Sequence, residues 1–317
     1  MRAPDFWQIG GPLAVLLRPL GAAYALGGAV RRSLVTPWQA SVPVVCVGNL
    51  TVGGTGKTPV VLDLARRLAQ RQPHIVTRGY GGRLAGPVRV DPKLHSAEDV
   101  GDEPLLLARR TPVWVARDRV AGARAAIAAR ARLLLLDDGF QNPTLAKDLS
   151  LIVVDGEAGF GNGLVFPAGP LREPVRVGLT RADAVVVIGQ DRHGIAASSP
   201  LPVLQARLVP KMPLSFAPGA PIVAFAGIGR PEKFFATLRG LGADPVAARA
   251  FPDHHRFRGD ELLRLEGLAA GLGARLVTTA KDAVRLPPSW RARVAVLRVA
   301  IEWDDTGALD RVLARIG

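Results

Sequence analysis

The sequence PVVCVGNLTVGGTGKT, residues 43–58, places an apolar run, a glycine-rich turn and a Lys-Thr pair in immediate succession. The apolar run Pro43–Val47 is typical of a buried strand, and the residues from Thr58 to Ala69 repeat their apolar positions with the period of a helix. Strand, glycine-rich loop and helix in this order are typical of a phosphate-binding loop. The stretch therefore predicts an α/β fold with a nucleotide site at the end of a strand.

The glycine-rich loop has the groups that a nucleotide and its magnesium ion require. Glycines let backbone N–H groups turn toward phosphate oxygens, the lysine reaches the β and γ phosphates, and the threonine hydroxyl binds Mg²⁺. The general pattern has glycine at the first position of the loop, where this chain has threonine. The predicted nucleotide-binding residues are Thr51, Val52, Gly53, Gly54, Thr55, Gly56, Lys57 and Thr58.

A second apolar run, Leu133–Leu136, ends in the paired acids Asp137 and Asp138. Buried strands rarely end in two acids, and a carboxylate that faces Mg²⁺ usually stands at such a strand end beside a phosphate-binding loop. The alternative is that one of the two caps the turn through Gly139. Together with the loop, the pair predicts binding of a nucleotide with Mg²⁺.

Candidates for a general base are few. Asp102 and Glu103 begin a predicted helix, where their charges are stabilised, although from the sequence alone Asp102 is better explained as the cap of that helix. The neighbours His254 and His255 point apart on a strand or turn, so at most one of them serves catalysis. These residues alone predict no metal site in the second half of the chain.

Two arginines follow predicted strands in glycine- or proline-rich loops, where functional groups of parallel sheets collect. Arg78 lies in the sequence TRGYGG, and Arg172 lies in FPAGPLREP. Each fits a phosphate contact, but each taken alone fits a surface arginine better.

The rest of the chain alternates apolar strands with helices, which predicts a mostly parallel sheet with helices on both faces and a second, smaller α/β lobe. The proline-rich segment Gln190–Pro221 predicts the connection between them. We therefore predict N-terminal membrane-associating helices in residues 1–40, a P-loop kinase domain in residues 41–205, and a smaller lobe with a closing C-terminal helix in residues 206–317.

The N-terminal region is apolar, but Pro12, Arg18 and Pro19 interrupt it before the length that a membrane span needs. Two short helices are predicted instead, through Ala14–Arg18 and Ala22–Leu34, either lying in the headgroup zone of a membrane or packed on the core. The net charge of +14 indicates an anionic partner. With an aromatic content of 5%, nucleic acid is an improbable one. A single cysteine, Cys46, excludes an intrachain disulfide.

Six motifs, in order along the chain, resemble those of the tetraacyldisaccharide 4'-kinase family, also called lipid A 4'-kinases. They are the sequences GNLTVGGTGKTP (48–59), TRGYG (77–81), GDEP (101–104), LDDGFQ (136–141), GNG with PAGPLREP (161–163 and 167–174), and FPDHH (251–255). In that family, too, the first position of the loop is not glycine.

The resemblance implies transfer of the γ-phosphoryl group of ATP to the 4'-hydroxyl of a tetraacyldisaccharide 1-phosphate, giving lipid IVA. The partners it implies are this glycolipid and the cytoplasmic surface of the inner membrane, and the protein is expected to be a monomer. The roles it implies are a base with its partner (Asp102, His254), phosphoryl charge neutralisation (Lys57, Arg172), substrate phosphate binding (Arg78) and Mg²⁺ binding (Thr58, Glu103, Asp137, Asp138). His255 remains an alternative to His254.

Three other readings remain open. A switch ATPase of the partitioning or metallochaperone type commonly has an extra lysine early in its loop, which Thr51-Val52-Gly53 lacks. A membrane-binding protein with a merely structural nucleotide site does not need Lys57 and the two acids intact. A kinase of small metabolites would act equally on water-soluble hydroxyls. The stretch Thr278–Asp282 resembles a guanine-reading motif, but it lies in the predicted second lobe and receives no role.

Overall fold

The computed structural model describes residues 4–243 and 245–316. Residues 1–3 of the predicted N-terminal region and Gly317 of the predicted smaller lobe lie outside these ranges. Within them, the strands form two sheets. The strands, in chain order, are β1 (Val44–Gly48), β2 (Pro73–Thr77), β3 (Val88–Arg89), β4 (Val113–Val115), β5 (Leu133–Asp137), β6 (Leu149–Asp155), β7 (Ala184–Ile188), β8 (Val203–Pro210), β9 (Ile222–Ala226), β10 (Pro245–Ala250), β11 (Arg275–Thr279), β12 (Ala295–Leu297) and β13 (Val299–Trp303).

The helices connect and cover these strands. They are α1 (Phe6–Ile9), α2 (Pro12–Ser33), α3 (Lys57–Arg67), α4 (Ala97–Val100), α5 (Asp102–Ala108), α6 (Arg119–Ala128), α7 (Val175–Leu179), α8 (Ile195–Ser198), α9 (Pro231–Gly240), α10 (Gly259–Gly271), α11 (Ala280–Ala283) and α12 (Thr306–Leu313). Short 3₁₀ turns occur at Ala69–Arg71 and Pro288–Trp290.

The larger sheet has nine strands in the order β13-β8-β7-β6-β1-β5-β2-β4-β3. Its pairs are parallel except at the two edges, where β13 pairs with β8 and β3 with β4 in antiparallel fashion. Strand β1 lies in the middle between β6 and β5, and all five of its residues are buried. A strand buried on both faces reads as a continuous apolar run, which is why the pattern of residues 43–47 predicted it.

Helices cover both faces of this sheet. On one face Leu64 of α3 and Leu105 of α5 pack against β1 and β5, and on the other Ala123 of α6 packs in a separate core cluster. Burying each such Leu or Val contributes about 1.5–3 kcal/mol. The predicted fold class, a P-loop NTPase-like mostly parallel sheet with helices on both faces and a second α/β lobe, is confirmed.

The smaller lobe has a four-stranded parallel sheet in the order β10-β9-β11-β12. Phe234, Phe235 and Leu238 of α9 pack on one face, and Leu262 and Leu265 of α10 contribute to the core on the other. This lobe is therefore a separate three-layer unit with its own core.

The C-terminal segment departs from the prediction that residues 206–317 form the smaller lobe. Strand β8, which lies within the predicted connection, continues to Pro210 in the larger sheet, and β13 pairs with it. The closing helix α12 packs in the core of the larger sheet, and the indole of Trp303 donates a 2.7 Å hydrogen bond to Asp63 of α3. The prediction assigned this segment to the smaller lobe because it follows that lobe in the sequence. Its apolar face is instead complementary to α3 of the larger lobe.

The prediction of two short N-terminal helices is wrong, because α2 is one continuous helix of 22 residues with Pro19 inside it. Proline has no N–H for the carbonyl of Val15 and its ring crowds that carbonyl, but the helix persists on both sides. At about 1.5 Å per residue it is about 33 Å long. By length and composition it is able to cross a membrane. Of its most apolar 18-residue stretch, 11% is buried against the protein.

Candidate active site

The glycine-rich loop connects β1 to α3 in a conformation that its glycines permit. Gly53 and Gly56 have φ of 116° and 85°, values in the left-handed region. A Cβ on Gly56 would also lie 2.7 Å from the Cδ1 of Ile188. Thr51, which replaces the expected first glycine, forms a bridge with Leu171 and therefore needs no glycine.

Two predicted phosphate-binding cations meet at Asp138. The Nη1 atom of Arg172 lies 3.0 Å from Oδ1 and its Nη2 lies 3.2 Å from Oδ2, while Lys57 Nζ is 3.6 Å from Oδ1. Burial alone would raise the pKa of Asp138, but the charges of Lys57 and Arg172 outweigh it and lower that pKa. A cation pair that stabilises one anion at the mouth of the loop is suited to phosphoryl oxygens.

The neighbouring acid, Asp137, is in the opposite situation. Its side chain is buried, and within the described residues its Oδ2 atom has no hydrogen-bond partner. Burial, and then the negative charge of Glu103, raise the pKa of Asp137 to about 7. An unpaired buried carboxylate oxygen is costly unless a cation or a proton compensates it.

The donor set around Asp137 fits Mg²⁺. Thr58 lies in the first turn of α3. Like Glu103 and Asp138, it lines a cleft between the two lobes. Among residues 4–243 and 245–316 no group of three or more His, Cys, Asp or Glu side chains is arranged to hold a metal alone. Mg²⁺ keeps waters and takes phosphate oxygens as ligands, so one or two carboxylates and a hydroxyl are enough.

Asp102 does not cap its helix, contrary to the preferred reading of the sequence. Gly101 is the N-cap, and Asp102 is the first residue of α5. Its Oδ1 accepts a 3.0 Å hydrogen bond from the N–H of Glu103, while its Oδ2 lies 3.2 Å from Nδ1 of His254. The structure thus joins an acid of the larger lobe to a histidine of the smaller one.

The environment keeps Asp102 ionised. The residue is 4% exposed, and burial by itself would raise its pKa. The hydrogen bond with His254 and the charges of Lys281 and Arg285 outweigh that effect and lower the pKa of Asp102 well below its usual range. His254, with φ of 59°, is half-buried and lines the cleft. A residue other than glycine held in the left-handed region is common at functional sites.

The second histidine faces elsewhere. The ring of His255 stacks on Phe251 with a centroid distance of 4.7 Å, and its Nε2 lies 3.0 Å from Oε2 of Glu261. The expected divergence of the two imidazoles is confirmed. The other predicted phosphate contact, Arg78, is exposed after β2, and among the described residues it is not one that lines the cleft.

Sequence reasoning missed the contribution of the smaller lobe. Lys281 Nζ lies 3.2 Å from Oε1 of Glu103, and Arg285 lies against Asp102. Lys281 lies within the stretch Thr278–Asp282, which was noticed for a different resemblance, and Arg285 follows it three residues later. In the sequence these two residues are visible only as a pair of cations four residues apart near the end of a strand. That pattern points to the site only when the positions of the two lobes are known.

A cleft of about 3260 Å³ joins these groups and continues between the lobes. The phosphate-binding loop and Arg172 line it from the larger lobe, and His254 and Lys281 line it from the smaller one. At its other side, Asp155 at the end of β6 accepts hydrogen bonds from Arg230 at 2.8 Å and Lys233 at 2.9 Å. The cleft thus brings the predicted phosphate-binding groups and His254, the partner of the predicted base, to one space.

The fold and this cleft define a P-loop phosphotransferase. A family model described as tetraacyldisaccharide-1-P 4'-kinase (LpxK) matches residues 13–317, and the chain belongs to that family. The class of enzyme predicted from the motifs, a kinase, is confirmed, and the switch ATPase is not supported.

Curated relatives agree over the full length. The chain is 57% identical to the tetraacyldisaccharide 4'-kinase of Rhodospirillum centenum, over 99% of this chain and 96% of that protein. It is 55% identical to the protein of the same name from Gluconacetobacter diazotrophicus, over 99% and 97%. The solved structure of LpxK from Aquifex aeolicus in complex with ATP superposes with a TM-score of 0.81 at 28% identity, covering 96% of this chain and 99% of that one.

Proposed function

We propose that the protein transfers the γ-phosphoryl group of ATP to the 4'-hydroxyl of tetraacyldisaccharide 1-phosphate, forming lipid IVA. The observation that carries the proposal is that the phosphate-binding loop of the larger lobe and His254 of the smaller lobe, which pairs with Asp102, line one cleft. Phosphoryl transfer depends mainly on alignment and charge neutralisation, and such a cleft provides both. Its relatives' names and the ATP in the related structure support the choice of donor and acceptor.

On the phosphate side, the loop from Thr51 to Thr58 wraps the phosphates with its backbone N–H groups. Lys57 and Arg172 exchange the carboxylate of Asp138 for the γ-phosphoryl oxygens, whose charge is spread in the transition state. The planar fork of Arg172 binds two oxygens at once, which fixes the orientation of the group being transferred.

Thr58, Glu103, Asp137 and Asp138 are the proposed Mg²⁺ ligands, directly or through water. The ion would supply positive charge that offsets the charge of the phosphate oxygens. The unpaired Oδ2 and raised pKa of Asp137 make it the strongest of the four, because a cation there relieves the cost of its burial.

On the hydroxyl side, Asp102 and His254 act together as the general base. Asp102 supplies the negative charge, and His254, the member that lines the cleft, is the group that the 4'-hydroxyl reaches. The proton passes from the hydroxyl to His254 as the hydroxyl oxygen attacks the γ-phosphorus, and the bond from that phosphorus to the β,γ-bridging oxygen breaks to release ADP. Arg78 is proposed, as a peripheral contact, to bind a phosphate of the substrate from its exposed loop.

The N-terminal region holds the protein at the cytoplasmic face of the inner membrane. Large apolar side chains of α2, including Leu13, Leu16 and Leu26, are exposed, and Arg31 and Arg32 end the helix. An apolar surface ending in cations is suited to acyl chains and anionic headgroups. We propose residues 1–40 as this region, and a monomer, since the described residues of one chain supply both walls of the cleft. Unchanged flotation on vesicles after deletion of residues 1–30 would reject the membrane role.

The central test measures transfer of labelled γ-phosphate from ATP to the tetraacyldisaccharide 1-phosphate in detergent with Mg²⁺. Lys57→Ala is expected to abolish transfer, while Lys93→Ala, an exposed lysine in another loop, is expected to leave it unchanged. ATP hydrolysis without transfer would instead indicate a switch ATPase. Equal activity on water-soluble hydroxyls would reject the lipid acceptor.

A further inference from the structure

Arg285 is a buried arginine whose contacts lead to the proposed base and not to solvent. Its side chain is 4% exposed. Its Nε donates a 2.9 Å hydrogen bond to Oδ2 of Asp102, and its Nη2 lies 2.7 Å from the same oxygen as an ion pair without an aligned hydrogen bond. The residue comes from the smaller lobe, two positions after α11, whereas Asp102 belongs to the larger lobe.

The same guanidinium also reaches the backbone that holds His254. Nη1 of Arg285 donates a 2.7 Å hydrogen bond to the carbonyl of Gly227, and that carbonyl accepts a 3.1 Å hydrogen bond from the N–H of His254. Gly227 is closely surrounded, since a Cβ there would lie 3.0 Å from the Cβ of His255 and 3.1 Å from the carbonyl oxygen of Pro252. Arg285 thus contacts one member of the pair directly and supports the other through a single carbonyl.

Arg285 is itself held by a fully buried acid. Oδ1 of Asp282 accepts a 3.0 Å hydrogen bond from Nη1 of Arg285 and another of 3.0 Å from the N–H of Gly227. Oδ2 of Asp282 accepts a 2.6 Å hydrogen bond from the hydroxyl of Thr279. Three donors on one planar group, each aimed at a different acceptor, form an arrangement that a lysine ammonium does not reproduce.

We propose that Arg285 is the positioning residue of the Asp102–His254 pair, and that Asp282 and Thr279 fix its orientation. This inference rests on the proposed function, in which that pair is the base. It gives two residues of the stretch Thr278–Asp282 a role, because Thr279 and Asp282 brace the arginine that positions the group receiving the proton.

The experiment is a double-mutant cycle between Arg285→Gln and Asp102→Asn, with kcat, KM for both substrates and ATP affinity measured for each variant. A residue that acts through Asp102 has its effect only while Asp102 is present. We expect Arg285→Gln to lower kcat by about 10- to 100-fold with the KM for ATP changed by less than about twofold, and to have little further effect on Asp102→Asn.

The matched control is Arg291→Gln, the same substitution at an exposed arginine of the smaller lobe whose hydrogen bonds go to the carbonyls of Leu286 and Val284. It is expected to leave kcat unchanged. Equal losses from Arg285→Gln in both backgrounds would overturn the inference while leaving Asp102 as the base. Undiminished kcat in Asp102→Asn would instead reject the base assignment, and the inference with it.

Arg285→Lys covers the case in which Arg285→Gln fails to fold, because it keeps the buried positive charge. It is expected to fold, to bind ATP normally and to retain a lowered kcat, since the ammonium cannot serve Asp102, Gly227 and Asp282 together. Full kcat in Arg285→Lys would show that charge alone is needed and would overturn the positioning role.

Discussion

The two walls of the cleft are built in different ways. The phosphate wall is centred on consecutive residues, because the loop from Thr51 to Thr58 runs from the end of one strand into one helix. Asp138 and Arg172 join it from elsewhere in the larger lobe. The hydroxyl wall is assembled from Asp102 in one lobe and from His254 and Arg285 in the other, more than a hundred residues away. A site formed by one local segment can be recognised in the sequence as a motif. A site formed where two lobes meet can be recognised only in the structure.

The largest expected effect separates the two walls. His254→Gln should lower kcat for transfer by roughly 10²–10⁴-fold, the usual contribution of a general base, while ATP affinity stays the same. Steady-state kinetics together with equilibrium binding of ATP check this. An equal loss of ATP affinity would mean that the histidine belongs to the nucleotide site, and the comparison of the two walls would fail.

A smaller effect is expected on the phosphate wall. Arg172→Lys keeps the charge but loses the two-pronged contact that the arginine makes with Asp138, at 3.0 and 3.2 Å. One charge-assisted hydrogen bond contributes about 1.5–3 kcal/mol, so kcat/KM should fall by roughly 10- to 100-fold. By contrast, the His254→Gln variant should keep its kcat/KM for the hydrolysis of ATP by water.

The adjacent acids of the phosphate wall should respond oppositely to pH. The folded pKa of Asp137, about 7, lies above its ordinary value of 3.8, so stability without ligand should fall as pH rises from about 4 to about 7. The slope approaches about 1.4 kcal/mol per pH unit. Asp137→Asn should remove this slope in denaturant unfolding measured across that range.

Asp138 is the matched control, since its pKa is lowered. Its contribution to stability is present above its ordinary pKa of 3.8 and is lost as pH falls below that value through the folded pKa. Asp138→Asn removes one of the charges that raise the pKa of Asp137, but burial and Glu103 contribute more, so most of the slope between pH 4 and 7 should remain. Loss of that slope in the Asp138 variant, with its retention in the Asp137 variant, would contradict the assignment of the two environments.

The smallest expected effect lies away from both walls. Asp155→Asn removes the contacts with Arg230 and Lys233, whose side chains are 40% and 44% exposed. Exposed ion pairs contribute about 0–1 kcal/mol each, so thermal melts should shift only slightly, and less at high salt. A large loss of stability that is independent of salt would mean that the lobes depend on this contact for more than charge.

The sequence was informative wherever chemistry and chain order coincide. The loop, the buried strand with its two acids, and the alternation of strands and helices all follow from local patterns, and the fold is as predicted. Asp102 was recognised as a candidate but explained as a cap, because its carboxylate is charged, buried and paired only through contacts with the other lobe. Arg285 could not be assigned at all, since nothing local distinguishes a bracing arginine from a surface one.

Two errors have a common physical origin. The continuous helix α2 and the placement of α12 on the larger sheet both depend on what an apolar face packs against or is exposed to, and not on the residues that interrupt or border it. Pro19 predicted a break, and position near the end of the chain predicted membership of the smaller lobe. Neither the proline nor the position in the chain says which surface an apolar face will contact, and that contact decides the structure.

The return of the chain to the larger sheet has a consequence for biosynthesis. Strand β13 and helix α12 leave the ribosome after the whole of the smaller lobe, yet they cover α3, the helix that begins at the phosphate-binding loop. The smaller lobe, bounded by Pro210 and Val299, is already complete when they emerge. A ribosome that stops before Val299 therefore releases a finished smaller lobe attached to an unfinished larger one, in which Asp63 lacks its partner Trp303. The larger lobe closes on α3 only after synthesis has passed α12.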